Sequence, residues 1–218
     1  MPAIAQAVRT PRSAAVAGVV FALLYGAALA LVRLAFPGGI TQRSDWAAER
    51  VNSLSVAVHL VAYAGIAFLW FMGVVRTRIG AREDRFLSTV FMGSGYLFLA
   101  MTFAAGALAS GLMHLHAQSA GSATADASFA LGTRTAFELV NLYSVRMAGV
   151  FMVSFGTLGL RTGAMPRSFV WLTYLLAAVL LLSISYTLWV VLVFPLWVLG
   201  LSVYLLVHGI GPAAQLDR

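Results

Sequence analysis

The segment from Ser168 to His208, SFVWLTYLLAAVLLLSISYTLWVVLVFPLWVLGLSVYLLVH, contains no charged side chain. A helix of about 20 apolar residues crosses a bilayer, so this segment has about twice the length of one crossing. We therefore predict two membrane-spanning helices, over residues 168–186 and 189–208. A tight turn near Ser183, Ser185, Tyr186 and Thr187 would join them.

Four more apolar stretches precede this segment, and polar or glycine-rich connections separate them. The first stretch stops at Pro37-Gly38-Gly39 and is too long for a cleaved secretory signal. The connection from His116 to Thr133 is rich in small residues and is predicted to be a flexible loop. The predicted fold is an all-α integral membrane protein, a bundle of six transmembrane helices forming a single domain over residues 1–218. Its first four spans are 14–36, 51–75, 86–113 and 134–160.

Composition excludes several classes of function. Hydrophobic residues make up 61% of the chain and charged residues 10%, whereas about a quarter of the residues in a soluble domain are charged. No stretch between the predicted spans is long enough to bury a core of its own, which excludes a soluble catalytic domain. The absence of cysteine excludes disulfides, iron–sulfur clusters, thiolate zinc sites and cysteine nucleophiles.

The basic residues predict an orientation in the membrane. The net charge is +7 and every basic residue is an arginine, a pattern that fits cytoplasmic loops better than nucleic-acid binding. Both termini are therefore predicted to lie in the cytoplasm. The predicted inner side holds Arg9, Arg12, Arg76, Arg78, Arg82, Arg85, Arg161, Arg167 and Arg218, and the outer side holds Arg43, Arg50 and Arg134.

One charged side chain lies deep within the fourth predicted span. Arg146 falls roughly 18 Å along that helix, near the bilayer centre, where an arginine costs at least about 2.5 to 3.5 kcal/mol. It should therefore face the bundle interior, with Tyr25, Tyr63 and Thr102 at comparable depth on other helices. One interpretation is a structural polar network that sets helix register. The other is an outer-half ligand-binding pocket formed by Arg146, Glu138, Asn141, His59 and Tyr63.

Small residues recur every four positions in the third span, at Thr102, Gly106 and Ser110. Such a stripe lets another helix backbone come close. We predict that it is a face of close helix packing.

Metal, haem and catalytic sites are weakly indicated. His114 and His116 are weak metal candidates, because residues two apart point to different sides of a helix. A bis-histidine haem between His59 and His114 is disfavoured, since the two residues are displaced by more than about 10 Å along the membrane normal. The Gly93-Ser94-Gly95 sequence lacks the Gly-x-Ser-Gly pattern of intramembrane serine proteases. No catalytic residue and no cofactor are predicted.

Short motifs in the C-terminal third carry a family resemblance. They are Gly156-Thr157-Leu158-Gly159-Leu160, the loop Arg161-Thr162-Gly163-Ala164-Met165-Pro166-Arg167, Pro195-Leu196-Trp197 and Leu206-Val207-His208-Gly209. With these motifs the chain from Arg146 onward resembles a family of six-span bacterial membrane proteins classified as a domain of unknown function. The resemblance implies six spans and a bacterial cytoplasmic membrane, and it implies no activity.

The sequence favours a non-enzymatic protein that binds a lipid or a small polar or anionic ligand, or that acts as an accessory membrane subunit. Its expected partners are membrane lipids, with a homo-oligomer or a larger membrane complex as the setting, and no nucleic acid. One alternative is a membrane-embedded enzyme or b-type haem cytochrome that uses His59, His114 and Glu138. A small-molecule transporter is a further alternative, although the chain lacks the internal repeat common in transporters and offers Pro195 as its one candidate for a broken helix.

Overall fold

The computed structural model describes residues 11–35, 48–79, 85–118, 123–163, 165–183 and 188–208. These residues are 97% helical and include no strand, which confirms the predicted all-α class. A π-helical segment, Leu139–Ser144, joins two of the α-helices into one continuous run. The α-helices are α1 (Pro11–Ala35), α2 (Ala48–Ile79), α3 (Arg85–Gln118), α4 (Ala123–Glu138), α5 (Val145–Thr162), α6 (Arg167–Leu182) and α7 (Leu188–His208).

Five of the described helical runs are long and apolar enough to cross a membrane. The chain is therefore a multi-pass membrane protein. The remaining helix, α6, has 16 residues and spans roughly 24 Å, less than the about 30 Å of a bilayer's hydrocarbon core. The five runs are Ala15–Ala35, Arg50–Arg76, Arg85–Leu115, Ala127–Thr162 and Val190–Val207.

The uncharged segment divides into two helices, as predicted. The helix α6 ends at Leu182, and Ser183 follows in an extended conformation. The helix α7 begins at Leu188 and continues through Pro195 without a break. Of the predicted turn residues, Ser185, Tyr186 and Thr187 lie outside the described residues.

The prediction of a flexible loop from His116 to Thr133 is wrong. The helix α3 extends to Gln118, and α4 starts at Ala123. Alanine favours the helix, and Phe129 joins Leu54 and Leu112 in one buried apolar cluster. The hydroxyl of Thr133 donates to the Phe129 carbonyl at 3.0 Å, so this polar side chain is paired within its own helix. The polar composition of this stretch therefore gives no indication that the fourth helical run begins at Ala123.

Five buried phenylalanines, one from each of five helices, form the centre of the bundle, which we call the phenylalanine core. The ring of Phe68 on α2 contacts the other four, with centroid distances of 4.7 Å to Phe21, 5.4 Å to Phe98, 5.3 Å to Phe151 and 5.6 Å to Phe194. Each of the five side chains is at most 2% exposed. The core thus joins α1, α2, α3, α5 and α7 at one level.

Many large apolar side chains on the outside of the bundle are exposed, as a surface facing lipid requires. Exposure is high on several helices rather than confined to one patch. Examples are Leu23, Ile66, Trp70, Leu131, Trp171, Leu175 and Leu196.

Candidate ligand-binding cavity

A cavity of about 200 Å³ lies between α1, α2, α3 and the run formed by α4 and the π-helical segment. It occupies the half of the bundle that contains the end of α1 and the start of α2. Tyr25 and Thr102 lie at its deep end, and Arg33 lies at the opposite end. The other lining residues are Ala28, Leu29, Val32, Leu54, Ala57, Val58, Val61, Ala105, Gly106, Ala109, Ala136, Phe137, Val140, Asn141 and Val191.

Small side chains leave this space open. At Gly106 on α3, the nearest described heavy atom to an added Cβ is a methyl carbon of Val58, 3.9 Å away. The predicted close helix packing at Gly106 is therefore wrong, because this part of the small-residue stripe lines a cavity. Ala105 and Ala109 on the same helix extend the same wall.

The deep end of the cavity carries three hydroxyl groups, and two of them form a hydrogen bond with each other. The Thr102 hydroxyl donates to the Phe98 carbonyl at 2.8 Å and lies 2.9 Å from the hydroxyl oxygen of Ser144. The Ser144 hydroxyl also donates to the Phe98 carbonyl, at 3.5 Å, and Tyr25, which is 2% exposed, lies beside both residues. The protons of the Thr102 and Ser144 hydroxyls thus find acceptors within the protein. This satisfies the demand for paired polar groups in a region without water.

The π-helical segment contributes to the same wall and is held by two polar side chains. A π-helix widens the helical turn and alters the normal hydrogen-bond pattern, and such segments are frequent at functional sites. The Asn141 amide nitrogen donates to the Phe137 carbonyl at 2.9 Å, and the Arg146 guanidinium donates to the Leu142 carbonyl at 3.1 Å. Both side chains therefore supply hydrogen bonds to the backbone at the point where the helix changes its geometry.

Arg146 also connects two helices. Its second terminal nitrogen donates to the carbonyl of Ser183 at 3.4 Å, directly after the end of α6. A carbonyl at a helix end needs a donor from outside its own helix, and lipid offers none. The guanidinium thus ties α5 to the end of α6, and Arg146 does not line the cavity.

Of the five residues predicted to bind a ligand, Asn141 lines the cavity. Glu138 lies one turn before it, and its Oε2 atom is buried without a hydrogen-bond partner among the described residues. On α2, Tyr63 is 62% exposed and His59 is also exposed, with Nδ1 2.7 Å from the carbonyl oxygen of Ser55. The structure therefore does not bring the five side chains into one pocket.

The weak metal candidates lie at the end of α3. His114 is exposed, and its Nδ1 is 3.3 Å from the carbonyl oxygen of Ser110. His116 belongs to the same helix, but its side chain lies outside the described part of the chain. Within that part, no group of three histidine, cysteine, aspartate or glutamate side chains is placed to hold a metal ion.

Replacing Arg146 with leucine is expected to leave occupancy of the cavity unchanged, because the guanidinium binds backbone carbonyls outside it. Thermal unfolding in detergent should shift only modestly, since two opposing effects nearly cancel. The substitution removes the cost of burying the guanidinium, about 2.5 to 3.5 kcal/mol. It also leaves the carbonyls of Leu142 and Ser183 without this donor, which costs about 1 to 3 kcal/mol for each. Lipid co-purified with wild type and variant, quantified by mass spectrometry, measures occupancy. A selective loss of bound lipid at unchanged stability would assign Arg146 to the ligand site.

Comparisons of this chain with protein-family models, curated proteins and solved structures give no match.

Proposed function

We propose that this is a non-enzymatic membrane protein that binds a lipid or another small amphipathic ligand in the cavity between α1, α2, α3 and α4. The supporting observation is the cavity itself, whose walls are apolar except at Tyr25, Arg33, Thr102 and Asn141. Its volume of about 200 Å³ exceeds the roughly 150 Å³ of an engineered apolar cavity that binds benzene. Such a space is large enough for part of an amphipathic molecule, and Asn141 lies on its wall to interact with a polar group.

The proposal includes a topology. The chain crosses a bacterial cytoplasmic membrane six times, with α6 as the short fifth crossing and both termini in the cytoplasm. The uneven distribution of arginine between the two sides supports this orientation. Membership of the six-span family that the C-terminal third resembles is part of the same proposal. The cavity then lies in the outer half of the membrane, with Arg33 at the level of the outer headgroups.

A Gly106→Leu substitution tests this function. Leucine at this position projects into open space inside the cavity and should displace the ligand, since a Cβ here has no described neighbour closer than 3.9 Å. Retention of lipid by the detergent-purified protein, measured by mass spectrometry of extracts, should fall by more than about tenfold, equivalent to about 1.4 kcal/mol.

The matched control is Gly111→Leu on the same helix. Gly111 is exposed, and no described heavy atom lies within 4 Å of an added Cβ. Both substitutions raise helix propensity equally, so only the filling of the cavity distinguishes them. Equal lipid retention in the two variants would contradict the proposal. A Soret band in the absorption spectrum of the purified protein would favour the haem alternative instead.

A further inference from the structure

We infer that the cavity holds one unbranched apolar chain whose anionic head binds at Arg33. The inference rests on the proposed function and specifies its ligand. Three features of the cavity support it: the position of the charged residue, the hydrogen bonds of the deep hydroxyl groups and the size of the space.

The charged residue of the cavity lies at one of its ends. This residue is Arg33, which is exposed in the last turn of α1 and is the charged side chain among the described residues that line the cavity. A guanidinium presents several N–H donors in a planar fork that matches phosphate and carboxylate oxygens. An amphipathic ligand with an anionic head therefore places that head at the Arg33 end.

The opposite end suits an apolar tail. The hydroxyls of Thr102 and Ser144 form hydrogen bonds with each other and with the Phe98 carbonyl. Because the protons of these two hydroxyls are already donated within the protein, neither is left as an unmet donor for a ligand atom. An incoming polar head would lose its hydration at this end without gaining a strong partner.

The distance between the two ends suits a chain. Tyr25 and Arg33 are eight positions apart on α1, which is roughly 12 Å of helical rise. A volume of about 200 Å³ over that length gives a narrow space, large enough for part of one chain and too small for both chains of a phospholipid. The same chemistry is offered by a diacyl phospholipid with one chain inserted and by a free fatty acid.

The test compares three probes by native mass spectrometry of the purified protein: dioleoyl phosphatidylglycerol, dioleoyl phosphatidylcholine and oleate. The first two share their chains and differ in head charge. The wild type should bind phosphatidylglycerol or oleate about fivefold more tightly than phosphatidylcholine, as expected for one basic residue close to an anionic head. The tighter of the two anionic probes identifies the source of the chain, and preference for either supports the inference.

Two substitutions separate specific from general charge effects. Arg33→Gln should abolish the preference, because it weakens binding of the anionic probes more than binding of phosphatidylcholine, whose ammonium group offsets the charge of its phosphate. Arg134→Gln removes an exposed charge from α4 that does not line the cavity, so it should preserve the preference. If the preference for the anionic probes decreased equally in both variants, the inference would be overturned, because general surface charge would then attract the lipid.

The Gly106→Leu variant distinguishes failure of this inference from failure of the proposed function. If it stops binding of all probes while the wild type shows no preference for the anionic ones, the cavity binds a chain without recognising its head. That result overturns the inference alone. If binding of every probe persists in Gly106→Leu, both the inference and the proposed function are wrong.

Discussion

Replacing Phe68 with alanine is expected to lower the free energy of unfolding by about 2 kcal/mol. In soluble cores Phe→Ala costs about 3 to 5 kcal/mol, which includes a term for transfer of the ring and a term for the cavity left behind, and only the cavity term is expected here. Lipid tails are as apolar as the protein interior, so transfer of the ring from lipid contributes little in a membrane. The lost packing remains, since Phe68 is fully buried and contacts Phe21, Phe98, Phe151 and Phe194. Unfolding by a denaturing detergent in mixed micelles measures the change.

A Phe86→Ala substitution provides the matched control, because it removes the same atoms from a ring that is 70% exposed. The control should change the free energy of unfolding much less than Phe68→Ala. Phe68→Leu should fall between the two, as it keeps part of the buried volume. Equal effects of Phe68→Ala and Phe86→Ala would show that the phenylalanine core does not hold the helices together.

The helices were largely predictable from sequence, whereas their buried faces were not. Uncharged runs such as 168–208 must form helices in a bilayer, and their length sets the number of crossings. In a soluble helix, polar residues mark the outer face, but lipid-facing and core-facing residues are both apolar here. Phe68 in the core and Leu69 on the surface are therefore indistinguishable by composition, although the first is 0% and the second 41% exposed.

The start of α4 is hard to predict from sequence for a related reason. Its sequence between Ala123 and Thr133 contains alanine, serine, threonine and glycine, a composition shared by flexible linkers. A single large residue, Phe129, makes the buried contacts. Leu131, the other large apolar residue of this stretch, is exposed, and two such side chains are too weak a signal of helical periodicity.

The polar residues of the candidate site were predictable as unusual, but their partners were not. The cost of a charge in lipid marks Arg146 in the sequence, and only the fold places it beside the carbonyl of Ser183. The π-helical segment has no recognisable composition. Small residues such as Gly106 also have two structural outcomes, close packing or an open cavity, and the neighbouring helix decides between them. Nothing in the sequence marks Ser144, whose hydroxyl bonds to that of Thr102.

Replacing Gly18 with leucine should destabilise the bundle by about 3 kcal/mol, the upper end of the usual cost of overpacking a core. At this position α1 approaches two other helices. An added Cβ would overlap the hydroxyl oxygen of Ser202 on α7 and would lie 2.9 Å from a ring carbon of Phe71 on α2. Neither neighbour is free to retreat, since Ser202 and Phe71 are both fully buried. A lower yield of monodisperse protein and a lower midpoint of thermal unfolding measure the loss.

Two further variants show whether this close approach is the cause. Gly26→Leu adds the same atoms to α1 where no described heavy atom lies within 4 Å of the Cβ, so it should be tolerated. For the smaller change Gly18→Ala, adding Ser202→Ala should restore part of the stability. The Ser202 hydroxyl is buried without a hydrogen-bond partner among the described residues, so its removal loses no bond and frees space at the closest contact. Additive effects in this double-mutant cycle would mean that the two residues do not touch, and α1 would then pack against α7 in a different register.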